Sequence, residues 1–276
     1  MTPLLLALGA SLAWGVGDFF GPLVSRAVGI LPVLAWAQVA GVLALAAAIL
    51  VRGSGPAGWQ VLYAVAASLG GMLGLFAYYR GMVTGTMSVV APIAGASAVI
   101  PVVFGIATGD SPSAWQVAGI VCALAGVVLA SVEHQEGRRR LAAGVGLALL
   151  AACGFGFYFP WMHAAGKVDF WWASLVFRTT ALVLVASVVA ARRVPIRLSR
   201  RNVAIAGAVG LADTVGNVLY AASSGHGGLV SLTAVLASLY PVVTVLLAAS
   251  ILDERVAPLQ RAGIALTLAG VVLISV

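Results

Sequence analysis

The stretch AWGVGDFF at residues 13–20 recurs in altered form as ACGFGFYF at residues 152–159. Other pairs keep the same order: IPVV (100–103) with YPVV (240–243), QVAGI (116–120) with QRAGI (260–264), and LAGVVL (124–129) with LAGVVL (268–273). The spacing between copies lengthens along the chain, so about one extra helical turn enters the second copy before Asp253. The chain therefore reads as two halves, 1–137 and 138–276.

What each half contains follows from composition. Of the 276 residues, 62% are hydrophobic and 8% charged, against roughly 25% charged in soluble domains. The mean hydropathy is +1.10. A soluble fold of this size has no interior large enough for that apolar surface, so an all-α integral membrane protein is expected. Apolar runs of about twenty residues, the length a helix needs to cross the hydrocarbon core, cover 3–22, 30–51, 59–79, 87–108, 115–132, 143–163, 170–191, 203–222, 228–250 and 259–276. The breaks RGSGPAG (52–58), GDSPS (109–113), EHQEGRRR (133–140) and RRVPIRLSRR (192–201) read as loops. The first run lacks a basic leader and a small-residue cleavage site, so it reads as a span rather than a signal peptide. Five spans per half is an odd number. The second half must then enter the membrane inverted, the architecture of secondary transporters with a site near the midplane.

Charge and cysteine fit the same reading. A net charge of +7 would suggest nucleic acid in a soluble protein, but here basic loops orient helices, and no nucleic-acid partner is expected. With the N-terminus outside, the inner loops hold Arg26, Arg80, Arg138, Arg139, Arg140, Arg192, Arg193, Arg197, Arg200, Arg201, Arg255 and Arg261, against Arg52 and Lys167 on the other face. Positive charge thus places both termini outside, in a multi-pass protein of the bacterial inner membrane. Cys122 and Cys153 lie in apolar runs, form no metal or disulfide spacing, and read as small packing residues. His163 and the Trp171–Trp172 pair sit near a membrane boundary and read as belt residues. His226 lies in a loop, and Asp110 and Glu254 read as loop or helix-end caps.

Trp14-Gly-x-x-Asp18-Phe, SVVAP (88–92) followed by Pro101, and DERVAPLQRAG (253–263) closing on LAGVVL resemble the EamA branch of the drug/metabolite transporter superfamily, over essentially the whole chain. The resemblance implies ten helices, a central cavity lined by spans 1, 3, 4, 6, 8 and 9, and transport of small metabolites, often outward. It also implies an arginine in the second span of each half. Arg178 is that arginine, whereas Gln38 stands at the matching position of the first half. Members are usually drawn with both termini inside, so the charge count departs from the family picture.

Polar residues inside spans are costly and mark function or a polar cavity. Asp18 is such a residue, with Trp14 one turn away; an aromatic beside an acid suits an amine or organic cation. Its partner in the sequence repeat is the apolar Phe157. The bland alternative is a structural ion pair with Arg178. Arg178 itself could instead be tied to carbonyls at a helix interface. Asp213 and Asn217, one helical turn apart, and Tyr220 form a polar stripe on span 8. Gln38, Tyr78, Tyr79, Ser97, Tyr158 and Ser238 complete the expected cavity, with Tyr78 and Tyr79 also readable as belt residues. Pro92, Pro101 and Pro241 are expected to kink spans 4 and 9 as hinges. Gly15, Gly17 and Gly21, with Ser11, form a small-residue face for close helix packing.

Other classes fit less well. Gly15-Val-Gly-Asp18 spells the GxGD of intramembrane aspartyl proteases, with Asp213 as the available second acid, but the usual order of motifs and the Pro-Ala-Leu tripeptide are missing. The sequence carries no phosphate-binding loop for ATP and no repeated filter motif for a channel. No metal site and no cofactor are expected. The leading expectation is a non-enzymatic secondary transporter of a small metabolite (amino acid, amine, nucleobase or similar), working by alternating access as an exporter. Protons are a candidate coupling ion through Asp18 or Asp213, an uncoupled facilitator is the alternative, and the protein acts as monomer or homodimer.

Overall fold

The computed structural model describes residues 2–101, 103, 113–135, 138–141, 143–227, 230–252 and 257–274. Asp110, Asp253, Glu254 and Arg255 lie outside them. The helices are α1 (Thr2–Val28), α2 (Ile30–Arg52), α3 (Tyr63–Thr84, entered by a 3-10 turn Trp59–Leu62), α4 (Met87–Gly95) and α5 (Ala114–Ser131). After two short strands come α6 (Val145–Arg192), α7 (Arg200–Gly225), α8 (Val230–Ala237), α9 (Tyr240–Ile251) and α10 (Pro258–Ile274).

The joints follow local chemistry. A single residue, Gly29 at φ 89°, separates α1 from α2, a left-handed backbone that favours glycine. The 48 residues of α6 would extend about 72 Å, twice a bilayer core, and the helix is broken at Asp169 (φ −159°, ψ 102°). The register that matches Gln38 to Arg178 also matches Gly29 to Asp169, so both halves break at equivalent points. The prolines act the same way. A 3-10 segment, Ala96–Ala98, lies between Pro92 and Pro101, and Pro241 opens α9 after the break that ends α8 at Ala237. A helical proline lacks the N–H that would bond the carbonyl one turn back, which for Pro101 and Pro241 is that of Ser97 and Ala237.

One element departs from the sequence reading. Residues Val132–Gln135 and Arg138–Leu141 pair as an antiparallel hairpin with Glu133 opposite Arg140, where a plain loop was expected, in a chain that is otherwise helical as expected. Backbone groups outside the helices must bond somewhere, and pairing across the turn satisfies them.

The helices pack in a few extensive pairs. Helix α3 lies along α6 and α1 along α7; α1 also packs on α9 and α4 on α6, while α5 packs on α10. Close approach needs small residues. A side chain at Gly154 would strike the backbone of Gly70 and Gly74 on α3, and one at Gly210 the backbone of Ala37 on α2. On α1, Gly15 faces Val243 of α9 and Gly21 faces the Tyr79 hydroxyl. Among the described residues, six helices are long and apolar enough to cross a membrane. Their outer faces stay apolar, with Leu43 64% and Leu12 59% exposed, a surface suited to lipid.

The loop after α2 is fastened at the α6 break. The Asp169 carboxylate accepts the backbone N–H groups of Trp171 (3.1 Å) and Trp172 (3.2 Å), capping the second segment of α6. It also accepts Arg52 Nη1 at 2.7 and 2.9 Å, and Trp172 Nε1 donates to the Ser54 carbonyl at 3.0 Å. The loop after α2 is thereby held to the joint inside α6. Asp169→Ala should cost about 1–2 kcal/mol through lost capping, and Asp169→Asn distinctly less, because asparagine also caps. Thermal unfolding of purified protein in detergent checks this. Equal losses would move the effect from the cap to the ion pair.

Candidate functional site

The site is built around Arg178, which sits in the second segment of α6 with no exposed surface. Its Nη1 donates to Gln38 Oε1 on α2 at 2.8 Å, and its Nη2 to Asp213 Oδ2 on α7 at 2.5 Å. The two positions that the sequence repeat equates, Gln38 and Arg178, therefore touch. Glutamine in place of a second arginine has a plain consequence: two guanidinium groups could not approach this closely, whereas an amide oxygen accepts.

The polar chain continues from Asp213. Asn217 Nδ2 donates to the Asp213 carbonyl at 2.8 Å, and Asn217 Oδ1 accepts the Tyr158 hydroxyl at 2.7 Å. Gln38 Nε2 faces Met72 Sδ at 3.5 Å. Trp14 packs against Tyr158, Phe159 and Tyr220 with ring centroids 5.9, 6.2 and 6.0 Å away, and a side chain at Gly216 would strike its indole. Tyr220 donates to the Phe159 carbonyl at 3.1 Å.

Between these groups lies a cavity of about 50 Å³, lined by Trp14, Asp18, Tyr158, Asp213 and Asn217 together with Gly71, Met72, Leu75, Phe155, Phe159, Phe177 and Tyr240. That is room for a water or two, a constricted pocket rather than an open channel. Asp18 is buried at its edge. Among the described residues it makes no hydrogen bond or ion pair, and Arg178 is taken up by Asp213 and Gln38. The structural pairing of Asp18 with Arg178 weighed from the sequence is thus not formed, and neither is an Arg178 held by carbonyls. Tyr78, Tyr79 and Tyr240 lie within electrostatic reach of the Asp18 carboxyl group. The buried Tyr240 hydroxyl finds no hydrogen-bond partner among the described residues. With Asp213 neutralised by Arg178, the site keeps one carboxyl group without a counter-charge in an aromatic setting.

Other expected residues fall outside the lining. Gln38, Tyr78, Tyr79, Arg178 and Tyr220 are buried behind it; Ser97 and Ser238 are buried at the helix breaks with their hydroxyls unpartnered among the described residues. Pro92, Pro101 and Pro241 are buried in or beside those breaks. His163 is not a belt residue: it is buried, with Nδ1 2.8 Å from Ser224 Oγ. Its span enters deeper into the packed interface with α7 than hydropathy indicates. Cys153, read as a packing residue, is exposed. The sequence match that pairs Asp18 with Phe157 also shifts, because Phe157 is 46% exposed. The outward positions Leu8, Leu12 and Val16 recur as the outward Leu149, Cys153 and Phe157, a slightly longer register than the motifs suggest. The residue in the place of Asp18 is then Phe159, again an uncharged aromatic. The aromatics missed from sequence, Phe155, Phe159, Phe177 and Tyr240, stood in apolar runs where nothing distinguished an inward ring from a lipid-facing one. The second repeat copy, ACGFGFYF, was the available signal for two of them.

The chain belongs to the EamA-like transporter family, whose family model matches residues 1–132 and 142–276. It is an integral, multi-pass membrane transporter of the drug/metabolite transporter superfamily, working on small-molecule substrates in a lipid bilayer. A solved crystal structure is similar to it with a TM-score of 0.72 and 21% sequence identity, covering 98% of this chain and 95% of that one. No curated protein matches it.

The pairing of Arg178 with Asp213 makes a stability prediction. Asp213→Ala leaves a fully buried guanidinium with only Gln38, and should cost about 3–5 kcal/mol. Adding Arg178→Gln removes the stranded charge and sets two glutamines face to face, so the double variant should regain part of that loss. Thermal melts of the singles and the double in one detergent decide it, and a double variant no more stable than Asp213→Ala would overturn it.

Proposed function

We propose that this transporter carries a small metabolite bearing a positive charge, an amine or amino acid, by alternating access of two inverted five-helix halves, 1–137 and 138–276, around the Asp18 cavity. The observation that carries this reading is the unpaired Asp18 carboxyl group among aromatic rings. Cations bind over aromatic faces, and a nearby carboxylate adds charge attraction. A substrate ammonium group or a coupling proton would neutralise Asp18 in turn, and outward transport is the direction proposed.

The inverted arrangement is supported by several contacts. Gln38 and Arg178, repeat equivalents, bond to each other, as residues near a pseudo-two-fold axis would. The packing of α1 on α7 has its counterpart in α3 on α6, and that of α1 on α9 in α4 on α6. The family model matches each half separately. Four of the spans proposed from hydropathy are then the two segments of α6 and the interrupted helices around Pro101 and Pro241. The aspartyl-protease alternative loses support, because that chemistry needs two carboxylates sharing a proton, and Asp213 is committed to Arg178.

Asp18→Asn keeps shape and hydrogen bonding while deleting the charge. The variant should fold and insert like the parent but lose most transport of amines in proteoliposomes, or lose the pH dependence of transport. Unchanged transport of every amine and amino acid tested, with unchanged pH dependence, would reject the role of Asp18.

The arginine distribution carries a second proposal, that both termini lie outside and the loop at 193–199 inside. A single cysteine introduced by Ser199→Cys, in a background with Cys122 and Cys153 replaced, should resist an impermeant thiol reagent in intact cells and react after permeabilisation. Labelling in intact cells would reverse the orientation.

A further inference from the structure

A groove of about 940 Å³ opens on the outer side of the bundle, between the start of α2, the later half of α3 and the end of α6. Its walls are apolar and face outward: Leu69 and Leu73 are each 52% exposed, Phe76 37% and Val188 41%. Arg80 and Arg192 also line it, both exposed, and neither guanidinium makes a hydrogen bond or ion pair with the described residues. No acidic side chain is among the residues that line it.

The groove exists because the two halves differ. The positions that the repeat makes equivalent to it are filled by the chain itself, where Arg52 bonds Asp169 and Trp172 bonds the Ser54 carbonyl. In the groove, Gly29 stands in the place of Asp169 and Pro32 in the place of Trp172, and among the described residues the loop after α6 is tied to α2 only by Trp36, whose Nε1 donates to the Ile196 carbonyl at 2.9 Å. Arg192, the counterpart of Arg52, is left without a carboxylate. Arg80 lies in the last turns of α3 and Arg192 ends α6, which brings both charges to the same membrane boundary, with the apolar walls running inward from them.

From this we infer that the groove is a binding site for an anionic phospholipid, its phosphate held by Arg80 and Arg192 and an acyl chain lying along Leu69, Leu73, Phe76 and Val188. The lipid phosphate supplies the anion that Asp169 supplies to Arg52 on the other face. Basic recesses between helices at a membrane boundary take anionic headgroups, and the apolar wall excludes a free ion as sole occupant. The groove shares only Met72 with the lining of the Asp18 cavity, and its charges, Arg80 and Arg192, lie outside that cavity, so the assignment does not depend on the transported substrate.

Delipidated protein in detergent tests this by thermal shift and by native mass spectrometry with added phosphatidylglycerol, phosphatidylcholine or inorganic phosphate. Phosphatidylglycerol should stabilise and remain bound, with phosphatidylcholine much weaker and inorganic phosphate without effect. The double variant Arg80→Gln/Arg192→Gln should lose roughly tenfold or more in phosphatidylglycerol affinity. Arg200→Gln/Arg201→Gln, which removes the same charge from the start of α7 outside the groove, should keep it. Leu73→Trp, which fills the wall and leaves both charges, should also weaken retention. Equal stabilisation by phosphatidylcholine, a full response to inorganic phosphate, or equal losses from the two arginine pairs would each overturn the assignment.

Discussion

Arg178 is the constraint on which the site depends. A charge at the centre of a membrane helix costs roughly 3 kcal/mol on insertion scales, and a fully buried guanidinium cannot reach the interface to escape it. Asp213 supplies the counter-charge and Gln38 the second acceptor, so one side chain ties α2, α6 and α7 together at the middle of the bundle. The consequence reaches further than stability. Once Arg178 is bound to Asp213, it no longer serves Asp18, and a carboxyl group stays uncompensated beside Trp14 and Tyr240.

The two sequence repeats differ in chemistry at matching positions. Where one places Gln38, the other places Arg178; where one breaks its helices with Gly29, the other uses Asp169. The second substitution ties one face with a carboxylate and a guanidinium, and the other, without that pair, keeps a lateral groove. A symmetric chain would present two equal faces.

The helical breaks carry the same logic on a smaller scale. Pro101 and Pro241 stand at breaks in their helices, and the hydroxyls of Ser97 and Ser238 are buried there without a hydrogen-bond partner among the described residues. Gly154 and Gly210 let backbones touch, which holds the bundle with van der Waals contact where lipid offers no hydrophobic drive.

Sequence by itself determined the membrane setting, the doubled pattern and the polar stripe of Asp213 and Asn217. Each rests on composition or on spacing along one chain, and periodicity is a local property. Resemblance in the motifs around Trp14, Pro92 and Asp253 added the family. Only tertiary structure decided which acid Arg178 would take, because Asp18 and Asp213 are alike in sequence terms and differ only in which helix faces α6. The same holds for Phe155, Phe177 and Tyr240, apolar letters in apolar runs whose inward turn depends on neighbouring helices. It holds for His163, whose burial against Ser224 comes from the approach of α7 rather than from its position along the span. The groove was invisible for the same reason: an empty space between three helices is set by what Gly29 and Pro32 lack, and by where α3 and α6 bring Arg80 and Arg192.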